Sequence, residues 1–183
     1  MKTTVLFPGS FNPIHRGHLA IASYLATIPE LDEVRLIVSP HNPLKEQAAD
    51  TPQERLEMVR KAVATLPEAI SRKITVSDIE FRLPEPRYTW NTLQALKEKE
   101  PLTRLILAVG GDNILILEKW HRWQDILAST ELWVYPRPGY PDAEARIREL
   151  ACGNVKAIRF LADAPQNDIS STQIREAGKF GIS

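Results

Sequence analysis

Thr3-Thr4-Val5-Leu6-Phe7-Pro8-Gly9-Ser10-Phe11-Asn12-Pro13-Ile14-His15-Arg16-Gly17-His18 stands near the start of the chain, and its reading decides the fold. Val5-Leu6-Phe7 is a short apolar run flanked by threonines, the pattern of a buried strand, and Pro8-Gly9 cuts it off. Over residues 17–27, Leu19, Ile21, Ala22 and Leu25 then recur on one helical face. A strand, a turn stiffened by Pro8 and Pro13, and a helix therefore follow one another within 27 residues.

The alternation continues along the chain. Residues 34–38 form a second strand, closed by the loop Ser39-Pro40-His41-Asn42-Pro43. Thr51-Pro52-Gln53-Glu54 announces a helix: a capping threonine, a proline at the first helical position and a glutamate three residues after the cap. Leu56, Val59, Val63 and Leu66 follow at helical spacing. Strand 74–79, helix 89–99 and strand 104–109 come next, the last ending in Gly110-Gly111-Asp112. Helical sequence runs on through Leu127, Leu132-Trp133-Val134 is a fifth strand, and Pro136-Arg137-Pro138-Gly139 closes it. A helix at 142–150, a sixth strand at 155–161 and a last helix at 170–177 complete the order. Such alternation predicts an α/β fold, a Rossmann-like doubly wound parallel sheet with helices on both faces in three α/β/α layers. With no repeat, low-complexity stretch or linker, residues 1–183 read as a single domain.

Composition narrows the class. Lys+Arg and Asp+Glu are both 23, a zero balance that argues against a protein coating nucleic acid. Cys152 is the only cysteine, which excludes an internal disulfide and a cysteine zinc cluster. The apolar run at 5–7 is too short for a signal peptide or a membrane span, so a soluble, cytoplasmic protein with no membrane partner is expected.

Ligands of open parallel sheets bind beyond the carboxyl ends of the strands, where this chain puts its Gly/Pro-rich and polar loops: 9–18, 39–45, 110–112, 137–139 and 168–175. In the first, Gly9 would let the backbone approach a ligand. His15, Arg16 and His18 sit at the positive end of a helix dipole, out of place electrostatically unless an anion lies between them. The plainer alternative is that the histidines fill or cap the turn. At the other end, Ser170-Ser171-Thr172-Gln173 offers N-cap hydroxyls, either Ser170 paired with Gln173 or Ser171 as the cap. Arg175 falls in the first turn of that helix, again a disfavoured place for a cation. One polyphosphate shared by both helix starts explains the pair.

The stretch 9–18 resembles the (G)-x-F-x-P-x-H-x-G-H signature of the nucleotidylyltransferase superfamily. Ile169-Ser170-Ser171-Thr172-Gln173-Ile174-Arg175 resembles that superfamily's I-S-S-T-x-I-R signature, about 150 residues further on. Within the superfamily the chain is most similar to bacterial nicotinate mononucleotide adenylyltransferases. That similarity extends through Ser39-Pro40-His41-Asn42-Pro43-Leu44-Lys45, Tyr88-Thr89-Trp90-Asn91-Thr92-Leu93, Gly110-Gly111-Asp112, Lys119-Trp120-His121 and Arg137-Pro138-Gly139. Pro8, Ser10 and Asn12 depart from the Gly, Thr and Asp that many relatives carry, and the chain stops at Ser183 where relatives usually continue.

The resemblance implies transfer of the adenylyl group of ATP to nicotinate mononucleotide, with release of pyrophosphate. His15, His18, Lys45 and Arg175 would be catalytic. Gly9, Ser10, Phe11, Gly110, Asp112, Ile169, Ser170 and Ser171 would join His15, His18 and Arg175 in binding ATP, Ser10 and Phe11 through the loop backbone and Asp112 through ribose hydroxyls. Asn42, Lys45, Thr89, Trp120 and Arg137 would bind the mononucleotide, its pyridine ring stacking on Trp120. Mg²⁺ would be held through ATP phosphates and water, with no dedicated protein ligands. Plainer roles stand beside several of these: Trp120 in the core, Thr89 or Asp112 as a helix cap, Lys45 as a surface partner of Glu46, while Trp123 and Trp133 read as core. Nicotinamide mononucleotide and phosphopantetheine are alternative acceptors, a non-catalytic nucleotide sensor is a further reading, and a homo-oligomer is left open.

Overall fold

A computed structural model describes residues 1–40 and 51–166. Asn42, Lys45, Ile169, Ser170, Ser171, Arg175 and the helix expected at 170–177 lie outside the described residues.

Six parallel strands join one sheet: β1 Thr3–Gly9, β2 Glu33–Val38, β3 Ile74–Ser77, β4 Arg104–Gly110, β5 Glu131–Tyr135 and β6 Ile158–Phe160. Their order is β3-β2-β1-β4-β5-β6, so the chain winds outward in one direction from β1 and then in the other from β4. The order reverses between β1 and β4, which is where doubly wound sheets open a ligand crevice. Register makes that opening concrete. β1 pairs with β4 only over Thr3–Leu6, whereas its pairing with β2 continues to Gly9 against Val38. β4 in turn keeps β5 company to Gly110 against Tyr135. Beyond Leu6 and Leu107 the two central strands therefore part.

Successive strand residues face opposite layers. Val5, Phe7, Leu36, Val38, Ile106 and Ala108 pack in one core with helices α1 (Arg16–Ala26) and α2 (Pro52–Ala64). Leu6, Ile37, Leu107 and Val109 pack in the other with α4 (Thr89–Lys99), α6 (Trp123–Ser129) and α7 (Ala143–Leu150). The three layers expected from alternation are present. Trp133 is fully buried, as expected, and Trp123 only partly. The capping box of α2 forms as read: Glu54 N–H donates to Thr51 Oγ1 at 3.2 Å, and Thr51 N–H donates to Glu54 Oε2 at 2.6 Å.

Element ends differ from expectation for local reasons. β1 does not stop before Pro8-Gly9 but runs through both, since Pro8 lies past the ladder to β4. β3 ends at Ser77, whose hydroxyl accepts the Ile79 N–H and starts a 3-10 turn at Ile79–Arg82. β6 is shorter than 155–161 because Lys156 N–H donates to the Leu127 carbonyl, at the α6 side. Helix α3 (Glu68–Ser71) was not expected; it buries no residue and so leaves no periodic signal. Helix α5 (Gly111–Leu115) completes the set. Among the described residues no helix is long and apolar enough to cross a membrane.

Candidate active site

The crevice is lined first by the turn after β1. His15 is the N-cap of α1, with extended backbone angles (φ −142°, ψ 175°). Its Nδ1 accepts the Gly17 N–H at 3.1 Å, and its own backbone N–H donates to Nδ1 of His18 at 3.1 Å. This is a reciprocal capping box built from two imidazoles instead of a hydroxyl and a carboxylate. A ring nitrogen that accepts carries no proton, so each neutral ring keeps its proton on Nε2. The two rings stack at 3.7 Å and 26°.

Burial and neighbouring cations keep both rings neutral. The His15 pKa falls to about 4 through desolvation first, then the charges of Arg137 and Arg16. That of His18 falls to about 3 through desolvation, His15 and Arg137. This corrects the electrostatic expectation. Both rings are neutral rather than cationic at the helix start, and the capping role is present at each Nδ1, which leaves the protonated Nε2 of each ring uncommitted to the cap. Among the described residues, Arg137 and Arg16 bring fixed positive charge beside His15, and Arg137 lines a small cavity with His15, Gly17 and Tyr135.

Gly9 has a structural reason beside the ligand approach expected of it. A Cβ there would meet the Phe11 ring at 3.1 Å, so the glycine makes room for the loop's own side chain. Phe11 is buried, adopts a left-handed backbone (φ 46°), and packs edge-on against Phe7 and His18. A non-glycine residue in that region costs about 1–3 kcal/mol, strain of the kind that gathers at functional turns. The Phe11 ring thus supports His18.

Across the crevice, Gly110 caps α5 with its backbone, and Asp112 lies in the first turn without acting as a cap. A Cβ on Gly110 would stand 2.4 Å from Asp112 Oδ1 and 3.2 Å from Arg137 Cγ. Glycine therefore lets the carboxylate fold back toward Arg137, whose Nε is 3.9 Å from Oδ1. His15, His18, Gly110, Asp112 and Arg137 are gathered at the switch point.

Tyr88, Trp90, His121 and Arg122, sequence neighbours of Thr89 and Trp120, form a second group. Tyr88, not Thr89, is the N-cap of α4, so the plainer role for Thr89 falls away. Trp120 is partly buried against the core that contains Leu93 and Leu107, less of a surface ring than expected. Tyr88 stacks on His121 at 4.2 Å, and the Arg122 guanidinium lies 4.5 Å from the centre of the Trp90 ring. These two contacts bring the start of α4 to the 120–122 turn. Tyr88, Arg87 and Ser39 line an open cleft of about 610 Å³, and Ser39 N–H donates to the Gly9 carbonyl, linking this group to the β1 turn.

Arg55 went unread in the sequence. It is fully buried, and its guanidinium donates to the carbonyls of Ser10, Ser39 (2.9 Å) and Pro40 (3.1 Å). A signal existed: Arg55 stands four residues before Val59 and eight before Val63, on the stripe that packs inward.

An open parallel sheet with amide-rich turns and N–H donors converging at its switch point defines a nucleotide-binding α/β protein of the doubly wound class. The chain belongs to the cytidylyltransferase-like family, whose model matches residues 6–177. It is 43% identical over 175 residues to a Bacteroides fragilis protein named probable nicotinate-nucleotide adenylyltransferase, covering 95% of this chain and 81% of the relative. A Flavobacterium johnsoniae protein of the same name is 41% identical over 177 residues, covering 96% and 86%. The solved structure of Plasmodium falciparum nicotinic acid mononucleotide adenylyltransferase complexed with NaAD superposes with a TM-score of 0.79 over 96% of this chain and 83% of that one, at 16% identity. At that identity the likeness speaks for the fold.

Proposed function

We propose that the chain transfers the adenylyl group of ATP to nicotinate mononucleotide, forming nicotinate adenine dinucleotide and pyrophosphate, a step of NAD biosynthesis. The observation that carries the chemistry is the imidazole capping box, which aims two neutral N–H donors from a helix N-terminus beside Arg137. The names of the relatives supply the acceptor.

The acceptor's phosphate monoester has a second pKa of ~6 and is already mostly dianionic at neutral pH, so no general base is required. What the protein must supply is alignment and donors that offset repulsion between two anions. His15 and His18, each an Nε2–H donor without charge of its own, suit the oxygens of the reacting α-phosphoryl group. Arg137 would contribute charge there, and Asp112 would accept from ribose hydroxyls, as the resemblance implies. Thr89 and Trp120 would hold the pyridine ring. Asn42, Lys45, Ile169, Ser170, Ser171 and Arg175 belong to this proposal through the resemblance of their motifs.

Mg²⁺ fits the same site as a phosphate-bound ion. Both imidazoles are committed to backbone N–H groups at Nδ1 and protonated at Nε2, so the donor set suits oxygens of phosphate and water better than histidine ligation. When bound, Mg²⁺ would neutralise phosphate charge. A cytoplasmic location is part of the proposal through the resemblance.

Pyrophosphate release from ATP, measured separately with nicotinate mononucleotide, nicotinamide mononucleotide and phosphopantetheine, tests this reading. Release preferring the nicotinate form supports it; a preference for another acceptor reassigns the substrate, and no release with any supports a sensor.

A further inference from the structure

We infer that Arg55 is a positioning residue for adenylyl transfer, fixing the β1 turn that presents His15 and His18. The inference rests on the function proposed above.

Helix α2 has no structural need for a cation at this place. Its start is secured by the Thr51–Glu54 box, and Leu56, Val59 and Val63 bury its apolar stripe. A leucine or methionine at 55 would pack there without the desolvation cost of a guanidinium. Among the described residues, the guanidinium donates to three backbone carbonyls from two loops: Ser10 after β1, and Ser39 with Pro40 after β2. Only the planar fork of arginine, with its several fixed donors, can span them at once.

Both anchors lead to the histidines. Ser10 immediately precedes Phe11, whose left-handed backbone turns its ring over Gly9 and edge-on to His18 at 5.0 Å between ring centres. A strained residue holds its angles only when its neighbours over-determine them, and the Ser10 carbonyl is one such restraint. Ser39 is tied to the same turn by its N–H to the Gly9 carbonyl. Its side chain hydrogen-bonds the buried carboxylate of Glu80, which also accepts from Thr92 on α4 at 2.9 Å. Arg55 thus locks together two loops at the crevice, one of which carries the imidazoles.

Arg55→Lys keeps charge and stem but loses the fork. Its kcat, normalised to the folded fraction, should fall on the order of 10- to 10²-fold, the scale of a misplacement of about 1 Å, with KM for each substrate changed far less. Arg55→Ala should regain part of that loss in millimolar guanidinium, which a global packing defect would not permit. Combined with His18→Asn, Arg55→Lys should cost much less than the product of the two single losses, because both act through one group. Imidazole ¹⁵N spectra supply a readout independent of the reaction. Arg55→Lys should shift or broaden the His15 and His18 Nδ1 signals, which report acceptance from the backbone. A folded Arg55→Lys protein with unaltered imidazole spectra overturns the inference whatever the protein catalyses. Wild-type kcat, or fully multiplicative losses with His18→Asn, overturns it in an active enzyme. Failure of the parent reading is distinct: the unsubstituted protein would release no pyrophosphate.

Discussion

The backbone N–H of His15 donates to Nδ1 of His18 at 3.1 Å while the two imidazole rings stack 3.7 Å apart, so one pair of side chains starts helix α1 and, in the proposed reaction, would also supply donors to the phosphates. The sequence pattern at 15–18 is therefore doubly constrained, and the two duties can be separated by substitution.

His18→Ala removes the Nε2 donor and the acceptor of the capping box together. Turnover should fall on the order of 10²–10³, the range for loss of one donor to a developing oxyanion. Loss of the cap should cost about 1 kcal/mol. His18→Asn retains an acceptor for the His15 N–H, so it should recover stability without recovering turnover. Steady-state kinetics beside thermal melts distinguish the two effects; near-normal turnover in either variant contradicts the role assigned to His18.

Stability should depend on pH through the same pair. Unfolded imidazoles take up protons near pH 6.5, whereas folded His15 and His18 do so only at about 4 and 3. Between these values the unfolded chain binds more protons, so the protein loses stability as pH falls from about 6.5 toward 4. Melting temperature against pH should show that slope, reduced in His18→Asn. An identical slope in that variant would assign the dependence to other groups.

Gly110→Ala should displace the Asp112 carboxylate, because the added Cβ would sit 2.4 Å from Oδ1 with Arg137 and Tyr135 at 3.2 Å. Overpacking of this kind costs about 1–3 kcal/mol. The kinetic effect should be a raised KM for ATP, on the order of tenfold, since each 1.4 kcal/mol of lost binding is a factor of ten. An unchanged KM would show that Asp112 does not meet the nucleotide.

Arg137→Gln separates charge from hydrogen bonding. Desolvation is the larger cause of the low imidazole pKa values, so His15 and His18 should stay neutral at pH 7 without Arg137. Affinity for a triphosphate should nonetheless weaken on the order of tenfold, the difference a charge-assisted hydrogen bond of about 1.5 kcal/mol makes. Histidine titration by NMR and calorimetric nucleotide binding check the two halves.

Much of the architecture was legible because its signals are local. Each core strand is a run such as Val5-Leu6-Phe7 or Leu132-Trp133-Val134, and α2 carries its start signal in Thr51-Pro52-Gln53-Glu54. The β1 turn stood out through its prolines, glycines and paired histidines. What escaped reading depends on contacts distant in sequence. Nothing near Gly110 tells that Arg137 closes in from the loop after β5. Reading His15 and His18 as cations failed because their neutrality comes from burial and from Arg137, more than 100 residues away. Arg55 was passed over because a cation on an apolar stripe reads as a solvated side chain until its three carbonyl partners are seen.

The most direct test of the account is a crystal structure of the protein with a non-hydrolysable ATP analogue and Mg²⁺. Phosphate oxygens within hydrogen-bonding distance of Nε2 of both His15 and His18, with each Nδ1 still accepting from backbone N–H, is the predicted result. Phosphates bound elsewhere, or imidazoles turned away from them, would contradict it.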